Sequence, residues 1–292
     1  MGVAVTIGPE AAPRGTDAAP PGHEAAAPGI ADAGGGAESR YASYPSLRDR
    51  VAFISGGSTG LGSEFVAALA AQGARVGFAD IDDAGAERLI ERVAAAGRPK
   101  PLFVPADIRD IDQLRAAVAE VAETLGTISI LVNNAANDKR QDSATVDEES
   151  WDDAMAVNLR HHFFAIQAVA DGMRAIGGGS IINLGSISAH ADFVGLAAYI
   201  TSKAGIEGLT RTLARELGPD RIRVNCVIPG WVLTEKQISR WMTPETLAKV
   251  AQAQSLKDNI MPADVARLVL WLAADDSAMC TGQNWVVDGG WI

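Results

Sequence analysis

Three side chains that could transfer a proton lie close together in the sequence: Ser186, Tyr199 and Lys203. Tyr199 and Lys203 are separated by one helical turn, which would place them on the same face of a helix. A free phenol has a pKa near 10 and is a poor base at neutral pH, but a neighbouring ammonium group stabilises the phenolate. Lowering that pKa by about 3 units requires roughly 4 kcal/mol. We therefore expect Tyr199 to be a general base tuned by Lys203, with the Ser186 hydroxyl holding the substrate oxygen.

A second group of residues has the composition of a phosphate-binding turn. The run Val51–Ser55 reads as a buried strand, and it leads into a turn containing Gly56, Gly60 and Gly62. Leu61, Phe65 and Leu69 recur at helical spacing, so a helix follows the turn. Glycines at a strand-to-helix turn let the backbone approach a pyrophosphate, which then lies at the positive end of the helix. A purely structural loop is the alternative for the turn taken alone.

The acidic residue Asp80 ends the second predicted strand and favours NAD over NADP. A carboxylate in this place can accept hydrogen bonds from the adenosine ribose and would repel a 2′-phosphate. No Arg or Lys lies between Gly56 and Gly73 to offset that repulsion. The alternative role is a helix N-cap, because Asp82 and Asp83 follow directly.

Strand-like runs alternate with helical patterns along the rest of the chain, which predicts a parallel sheet covered by helices. The fold class is therefore α/β, a doubly wound Rossmann fold with a seven-stranded parallel sheet and helices on both faces. We expect one NAD-binding catalytic domain over residues 41–292, with a substrate lid around residues 232–257. Residues 1–40 are mostly Ala, Gly and Pro and contain no aromatic residue, so we expect a disordered extension; a targeting peptide is the alternative. The predicted strands are Val51–Ser55, Arg75–Ala79, Leu102–Pro105, Ile128–Val132, Ser180–Leu184, Arg223–Val227 and Trp285–Val287.

Over Leu47–Ile292 these motifs resemble those of the short-chain dehydrogenase/reductase family. The matching residues are Gly56, Gly60, Gly62, Asn133-Asn134-Ala135, Asn158, Ser186, Tyr199, Lys203 and Pro229-Gly230. The resemblance implies a catalytic tetrad of Asn158, Ser186, Tyr199 and Lys203, in which Asn158 organises a relay water and Lys203 also binds the nicotinamide ribose. It further implies that Asp107 contacts the adenine and that Asn133 stabilises the central strand. Ala136 departs from the glycine usual in the family and adds a methyl group beside the cofactor.

Together, the turn and the resemblance predict a set of residues that bind NAD. They are Gly56, Ser58, Gly60, Leu61, Gly62, Asp80, Ile81, Asp107, Ile108, Asn134, Tyr199, Lys203, Pro229, Gly230 and Val232.

Several local segments resemble the bacterial NAD-dependent aldose 1-dehydrogenases within this family. They are Asn158-Leu-Arg-His161, Lys203-Ala-Gly-Ile-Glu-Gly208, Trp241-Met-Thr-Pro-Glu245 and Cys280-Thr-Gly282. The resemblance implies oxidation of a sugar such as D-xylose at C1 to a lactone. The candidate substrate contacts are Asn137, Asp138, Ser186, His190, Trp231, Trp241, Gln254 and Lys257. The polar run Asn137–Arg140 could equally be a solvated loop, and His190 could be an ordinary exposed histidine.

Composition excludes some functions and leaves others open. The net charge of −11 argues against nucleic-acid binding, and no apolar run is long enough to span a bilayer. The two cysteines form no CxxC motif, which predicts a reduced, cytoplasmic protein. His161-His162 favours packing over a metal site, and we expect two or four copies of the chain to assemble. The competing functions are a hydroxysteroid or 3-ketoacyl oxidoreductase and a non-catalytic NAD sensor.

Overall fold

The computed structural model describes residues 41–292. The disordered extension expected over residues 1–40 lies outside the described residues. Seven strands of the described chain form one sheet, and every neighbouring pair is parallel. In chain order they are β1 (Val51–Ser55), β2 (Arg75–Asp80), β3 (Leu102–Pro105), β4 (Ile128–Asn133), β5 (Gly179–Leu184), β6 (Ile222–Pro229) and β7 (Asn284–Val287).

Helices connect these strands and cover the sheet. They are α1 (Gly60–Ala71), α2 (Asp83–Ala95), α3 (Ile111–Leu125), α4 (Glu148–Met155), α5 (His161–Ala175), α6 (Ala197–Leu217), α7 (Glu235–Trp241), α8 (Pro244–Ala253) and α9 (Pro262–Ala273). A five-residue π-helical segment, Ala156–Arg160, joins α4 to α5. None of the helices in residues 41–292 is long and apolar enough to cross a membrane.

The core has two layers because successive side chains of a strand point to opposite faces of the sheet. Every residue of β1 is buried. Ala52 and Ile54 belong to the cluster formed with α1, α2 and α9, whereas Val51 and Phe53 belong to the cluster formed with α3, α5 and α6. The predicted seven-stranded parallel sheet with helices on both faces is therefore confirmed.

The strand order places the site. It runs β3-β2-β1-β4-β5-β6-β7, so the chain changes direction across the sheet between β1 and β4. In open parallel sheets a ligand binds beyond the carboxyl ends of the strands at such a switch point. Ser55 at the end of β1 lies beside Asn133 at the end of β4, and Asn183 of β5 lies beside Asn133 in turn.

Candidate active site

The turn after β1 is shaped by close backbone packing. Gly56 has a φ of +70°, and a Cβ atom there would lie 2.7 Å from the Cα of Ala135. A Cβ atom on Gly62 would collide with the carbonyl oxygen of Gly56. Asn134 Nδ2 donates to the carbonyl oxygens of Ser55 and Gly56, at 3.1 and 2.8 Å. These contacts join the ends of β1 and β4 and leave no room for larger side chains.

Asp80, at the end of β2, is held by hydrogen bonds from neighbouring backbone groups. Its carboxylate accepts hydrogen bonds from the backbone N–H groups of Ser58, Ile81 and Asp82, at 2.9, 2.7 and 3.1 Å. Asp82 is the residue that caps α2, since its Oδ1 accepts from Gly85 N at 2.9 Å. A carboxylate has about four acceptor positions, so Asp80 keeps room for about one further donor, such as a ribose hydroxyl.

A cleft of about 1020 Å³ runs from Asp80 across the turn to Tyr199. Asp107 and Ile108, which follow β3, also line this cleft, as expected for an adenine-binding region. Arg109 also lines this cleft, where it forms ion pairs with Asp107 and Asp153 at 2.6 and 2.8 Å. The buried hydroxyl oxygen of Ser58 has no partner in the described structure. The open cleft, the tight glycine turn and this unpartnered hydroxyl fit a dinucleotide.

Most of the predicted cofactor contacts line either this cleft or the cavity next to it. Ser58 and Gly62 act instead within the turn, by the contacts given above. The lining residues among the predicted contacts are Gly56, Gly60, Leu61, Asp80, Ile81, Asp107, Ile108, Asn134, Tyr199, Lys203, Pro229, Gly230 and Val232.

Ser186, Tyr199 and Lys203 meet beside this cleft. Ser186 follows β5, whereas Tyr199 and Lys203 lie on α6. Lys203 is 1% exposed, and its Nζ donates to the carbonyl oxygen of Leu184 at 2.7 Å. The same Nζ lies 5.6 Å from the centre of the Tyr199 ring. The structure therefore brings the three side chains together as the spacing predicted.

The electrostatics of the protein alone differ from the sequence-based expectation. Burial raises the pKa of Tyr199 to about 12; a hydrogen bond with Ser186 opposes this shift, and the nearby Asp138 carboxylate adds to it. Burial also lowers the pKa of Lys203 to about 8. The expected lowering of the Tyr199 pKa requires the positive nicotinamide ring beside Lys203 and stays a prediction. Without that ring, the cost of burying a phenolate exceeds what the neighbouring groups return.

Asn158 lies in the π-helical segment and is completely buried. Its Oδ1 accepts from Asn137 N at 2.8 Å, and its Nδ2 donates to the carbonyl oxygens of Asn137 and Ala154. The side chain thereby holds the loop that follows β4 against the helix. An additional part for Asn158 in organising a relay water stays a prediction.

A smaller cavity of about 210 Å³ adjoins the cleft and contains Ser186, Tyr199 and Lys203 in its wall. Sequence reasoning identified Asp138 and Trp231 correctly as lining residues, and Asn137 lines the neighbouring cleft. It did not assign Gln237 to the site. The available signal was the T-x-x-Q pattern of Thr234 and Gln237, which is typical of a helix start. Other lining residues that sequence reasoning did not assign to the substrate include Ser188, Phe193 and Leu196, whereas Arg140 belongs to the polar run Asn137–Arg140 that the sequence offered for sugar hydroxyls.

Four expected substrate contacts do not line this cavity. His190 is exposed, and its Nε2 lies 2.7 Å from Glu207 Oε1. The Trp241 ring stacks under the guanidinium of Arg140, at 4.7 Å. Gln254 is 2% exposed and donates to the carbonyl oxygens of Leu256 and Asp258, at 2.9 and 3.0 Å.

Lys257, the fourth of these residues, donates to the carbonyl oxygens of Ala251 and Gln254. These four side chains lie outside the cavity lining and are engaged by nearer partners, so their contact with the substrate stays a prediction. For Lys257, those partners are carbonyl groups at the end of α8, which need donors. For Gln254, they are carbonyl groups in the loop after α8.

His161 and His162 are both fully buried, with ring centres 4.3 Å apart. Burial, together with the charge of Lys203, lowers the pKa of His161 to about 3, although its contact with the Ala135 carbonyl opposes the shift. Its Nε2 lies 3.1 Å from that oxygen. Within residues 41–292 no group of three or more His, Cys, Asp or Glu side chains could hold a metal ion. The pair is therefore neutral at physiological pH and supports the turn after β4.

The fold and this arrangement define a nucleotide-binding oxidoreductase. The sequence profile of the family described as "Enoyl-(Acyl carrier protein) reductase" matches residues 56–292. The chain belongs to the short-chain dehydrogenase/reductase family, whose members bind a nicotinamide cofactor, and it is an oxidoreductase that acts on CH–OH groups.

Two relatives are similar over almost their whole length. The chain is 47% identical over 250 residues to D-xylose 1-dehydrogenase of Caulobacter vibrioides, covering 86% of this chain and 98% of the relative. It is 46% identical over 249 residues to a protein of Rhizobium meliloti named "Probable galactose dehydrogenase GalD", covering 85% and 97%.

Solved structures agree with this assignment. A short-chain dehydrogenase/reductase from Serratia marcescens matches with a TM-score of 0.79 and 35% identity, covering 84% of this chain and 99% of that chain. A blue fluorescent protein from a metagenomic library, solved in complex with NADPH, matches with a TM-score of 0.77 at the same identity, covering 84% and 99%.

Proposed function

We propose that this protein oxidises an aldose, D-xylose or a similar sugar, at the C1 hydroxyl to give the lactone, with NAD as the hydride acceptor. The observation that carries the proposal is the meeting of Ser186, Tyr199 and Lys203 in the wall of a small cavity that adjoins the dinucleotide cleft. The names of the two relatives, D-xylose 1-dehydrogenase and "Probable galactose dehydrogenase GalD", support a sugar as the substrate class.

In this proposal each side chain has one task in the oxidation. The Ser186 hydroxyl donates a hydrogen bond to the C1 oxygen and holds it beside the phenol. Tyr199, as the phenolate, takes the proton of the C1 hydroxyl while the C1–H bond breaks and C1 becomes a carbonyl carbon. Lys203 stabilises the phenolate by its charge and binds the nicotinamide ribose. The nicotinamide ring of the oxidised cofactor, when bound, supplies the hydride acceptor and an additional positive charge.

The size and lining of the cavity support a sugar over a steroid. Its volume of about 210 Å³ lies below the roughly 300–1,000 Å³ typical of sites for drug-sized ligands. Asp138, Arg140 and Gln237 provide polar groups, and the Trp231 ring provides an apolar surface. A monosaccharide presents both kinds of surface, whereas a steroid is larger and mostly apolar.

A panel of substrates tests the proposal. NAD reduction is measured at pH 8 with D-xylose, L-arabinose, D-galactose, L-fucose and a hydroxysteroid. We expect the highest kcat/KM with an aldose. An epimer that leaves one buried polar group unpaired should be about ten- to a hundredfold slower, since that group costs roughly 1–3 kcal/mol. Turnover of the hydroxysteroid with no turnover of any aldose would contradict the proposal.

The preference for NAD rests on Asp80, whose carboxylate would repel a 2′-phosphate. The cations in the cleft lining are Arg109, Lys236 and Arg240; Arg109 pairs with Asp107 and Asp153, and Lys236 pairs with Asp138. We expect kcat/KM with NAD to exceed that with NADP by at least tenfold, and the Asp80→Ala variant to narrow this ratio. Equal values for the two cofactors in the wild type would refute the assignment.

We also propose that the protein acts in the cytoplasm and assembles as two or four copies. Cys226 and Cys280 are both free thiols, which suits a reducing compartment. Light scattering in solution gives the number of copies directly, and a monomeric mass would contradict that part of the proposal.

A further inference from the structure

A series of hydrogen bonds links three side chains that line the small cavity and come from segments distant in sequence. Trp231 follows β6, Gln237 lies on α7, and Asp138 lies in the loop after β4. Trp231 Nε1 donates to Gln237 Oε1 at 3.0 Å, and Gln237 Nε2 donates to Asp138 Oδ2 at 2.9 Å. All three side chains line the cavity. Gln237 is therefore the link between the two sides of the site.

The orientation of the Gln237 amide follows from the chemistry of its partners. An indole N–H can only donate, and a carboxylate can only accept. The amide oxygen must therefore face Trp231 and the amide nitrogen must face Asp138. The other carboxylate oxygen of Asp138 receives Lys236 Nζ at 2.5 Å, which leaves Asp138 with acceptor positions for a further donor.

The placement of Gln237 on α7 differs from that of its neighbours. Among residues 235–240 it alone is partly buried, whereas the others are exposed. Its backbone N–H donates to the Thr234 side chain, which caps the helix. Both its backbone and its side chain are thus held, although α7 has only seven residues.

We infer that Gln237 is a specificity-determining residue: it holds the Trp231 indole and the Asp138 carboxylate at a set spacing, so that one face of a sugar packs on the ring while a hydroxyl donates to Asp138. The inference rests on the proposed aldose substrate. In this arrangement the Gln237 side chain connects α7 to Trp231 on one side of the cavity and to Asp138 on the other. Phe193, which also lines the cavity, packs edge-to-face with the Trp231 ring, with the ring centres 6.1 Å apart.

The Gln237→Glu variant tests the polarity of this series of hydrogen bonds. As an anion, the introduced carboxylate can accept from Trp231 but repels Asp138; when protonated, it can accept from Trp231 and donate to Asp138. We expect its KM for the aldose to exceed that of the wild type by at least tenfold at pH 9 and to return to within about threefold at pH 5.5. The ionisable groups that line the same cavity, Asp138, Arg140, Tyr199 and Lys203, are common to both proteins, as is Lys236 beside Asp138, so the ratio of KM values at each pH isolates position 237.

Two further variants complete the design. Gln237→Leu removes both hydrogen bonds without adding charge, so we expect its KM to be about tenfold higher at every pH. Ile238→Glu adds the same charge at an exposed neighbouring position and should keep the KM of the wild type. Because Gln237 also lines the dinucleotide cleft, the KM for the aldose is measured at saturating NAD in all three variants. A KM ratio for Gln237→Glu that is the same at pH 5.5 and 9, or a KM for Gln237→Leu within twofold of the wild type, would overturn the inference.

Hydrogen–deuterium exchange of residues 232–241, measured without sugar, separates this inference from the proposed function. We expect faster exchange of α7 in Gln237→Leu than in the wild type and in Ile238→Glu. Suppose that exchange is faster in Gln237→Leu but the wild type oxidises no aldose. Gln237 would then still be the residue that holds α7 in place, and only the sugar as the substrate of the protein would be refuted. Unchanged exchange would overturn the link itself.

Discussion

The Lys203→Met variant distinguishes the two tasks proposed for Lys203, stabilising the phenolate and binding the ribose. With a pKa of about 12, Tyr199 in the protein alone would need about 4 pKa units, roughly 5 kcal/mol, to serve as a base near pH 8. A unit charge 5.6 Å from the centre of the Tyr199 ring stabilises the phenolate by roughly 3 kcal/mol at an effective dielectric constant of about 20. That is about 2 pKa units, which would be lost with the Lys203 charge. Because the pKa of about 12 belongs to the chain that already contains Lys203, the positive ring of the bound oxidised cofactor must provide the shift towards pH 8.

We therefore expect the alkaline-rising limb of kcat, measured at saturating sugar and NAD, to move upward by about 2 pH units in Lys203→Met. At pH 8 kcat should fall about a hundredfold, and much of the loss should be recovered at pH 10. A variant whose limb keeps the wild-type pKa, with only a lower plateau or a higher KM for NAD, would refute the electrostatic task and leave ribose binding alone.

The stability of the same variant provides an independent control. Burial lowers the pKa of Lys203 from 10.5 to about 8, so removing the charge relieves roughly 3 kcal/mol at pH 7. The loss of the hydrogen bond to Leu184 leaves a buried carbonyl unpaired, which costs roughly 1–3 kcal/mol. The two effects nearly cancel, so the melting temperature should stay within a few degrees of the wild type, and a large fall would show that misfolding explains any loss of activity.

Two further outcomes are expected. Tyr199→Phe should reduce kcat by at least a hundredfold while the dissociation constant for NAD, measured by calorimetry, stays within about threefold, because only the proton acceptor is lost; a tenth of the wild-type kcat would contradict its role as the base. His161 has a folded-state pKa of about 3 against 6.5 in the unfolded chain, so the unfolded state binds more protons in that window and stability falls as the pH falls through it. His161→Gln should therefore lose about 2 kcal/mol less unfolding free energy than the wild type between pH 7 and pH 5 in urea titrations, and equal losses would show that this histidine is not the cause.

The sequence alone was sufficient for the features that depend on local spacing. Each of the seven strands was predicted to within two residues at either end. The central strands β1, β4 and β5 are buried on both faces and read as short apolar runs between turns, and the less buried edge strands β3 and β7 have the same kind of sequence. The glycine turn was recognised because a strand, a tight turn and a helix follow one another directly. Tyr199 and Lys203 were paired because their separation is that of one helical turn.

The tertiary structure decided everything that depends on which distant segment packs against a side chain. Gln254 and Lys257 looked like sugar contacts by type, but carbonyl groups in the loop after α8 and at the end of α8 engage them. Gln237 reaches the cavity because Trp231 and Asp138 meet it from the segments that follow β6 and β4. The sign of the Tyr199 pKa shift was also beyond the sequence. Spacing shows that a cation is near, but the cost of desolvation depends on how much of the folded chain surrounds the phenol, and that is known only once the whole sheet and its helices are assembled.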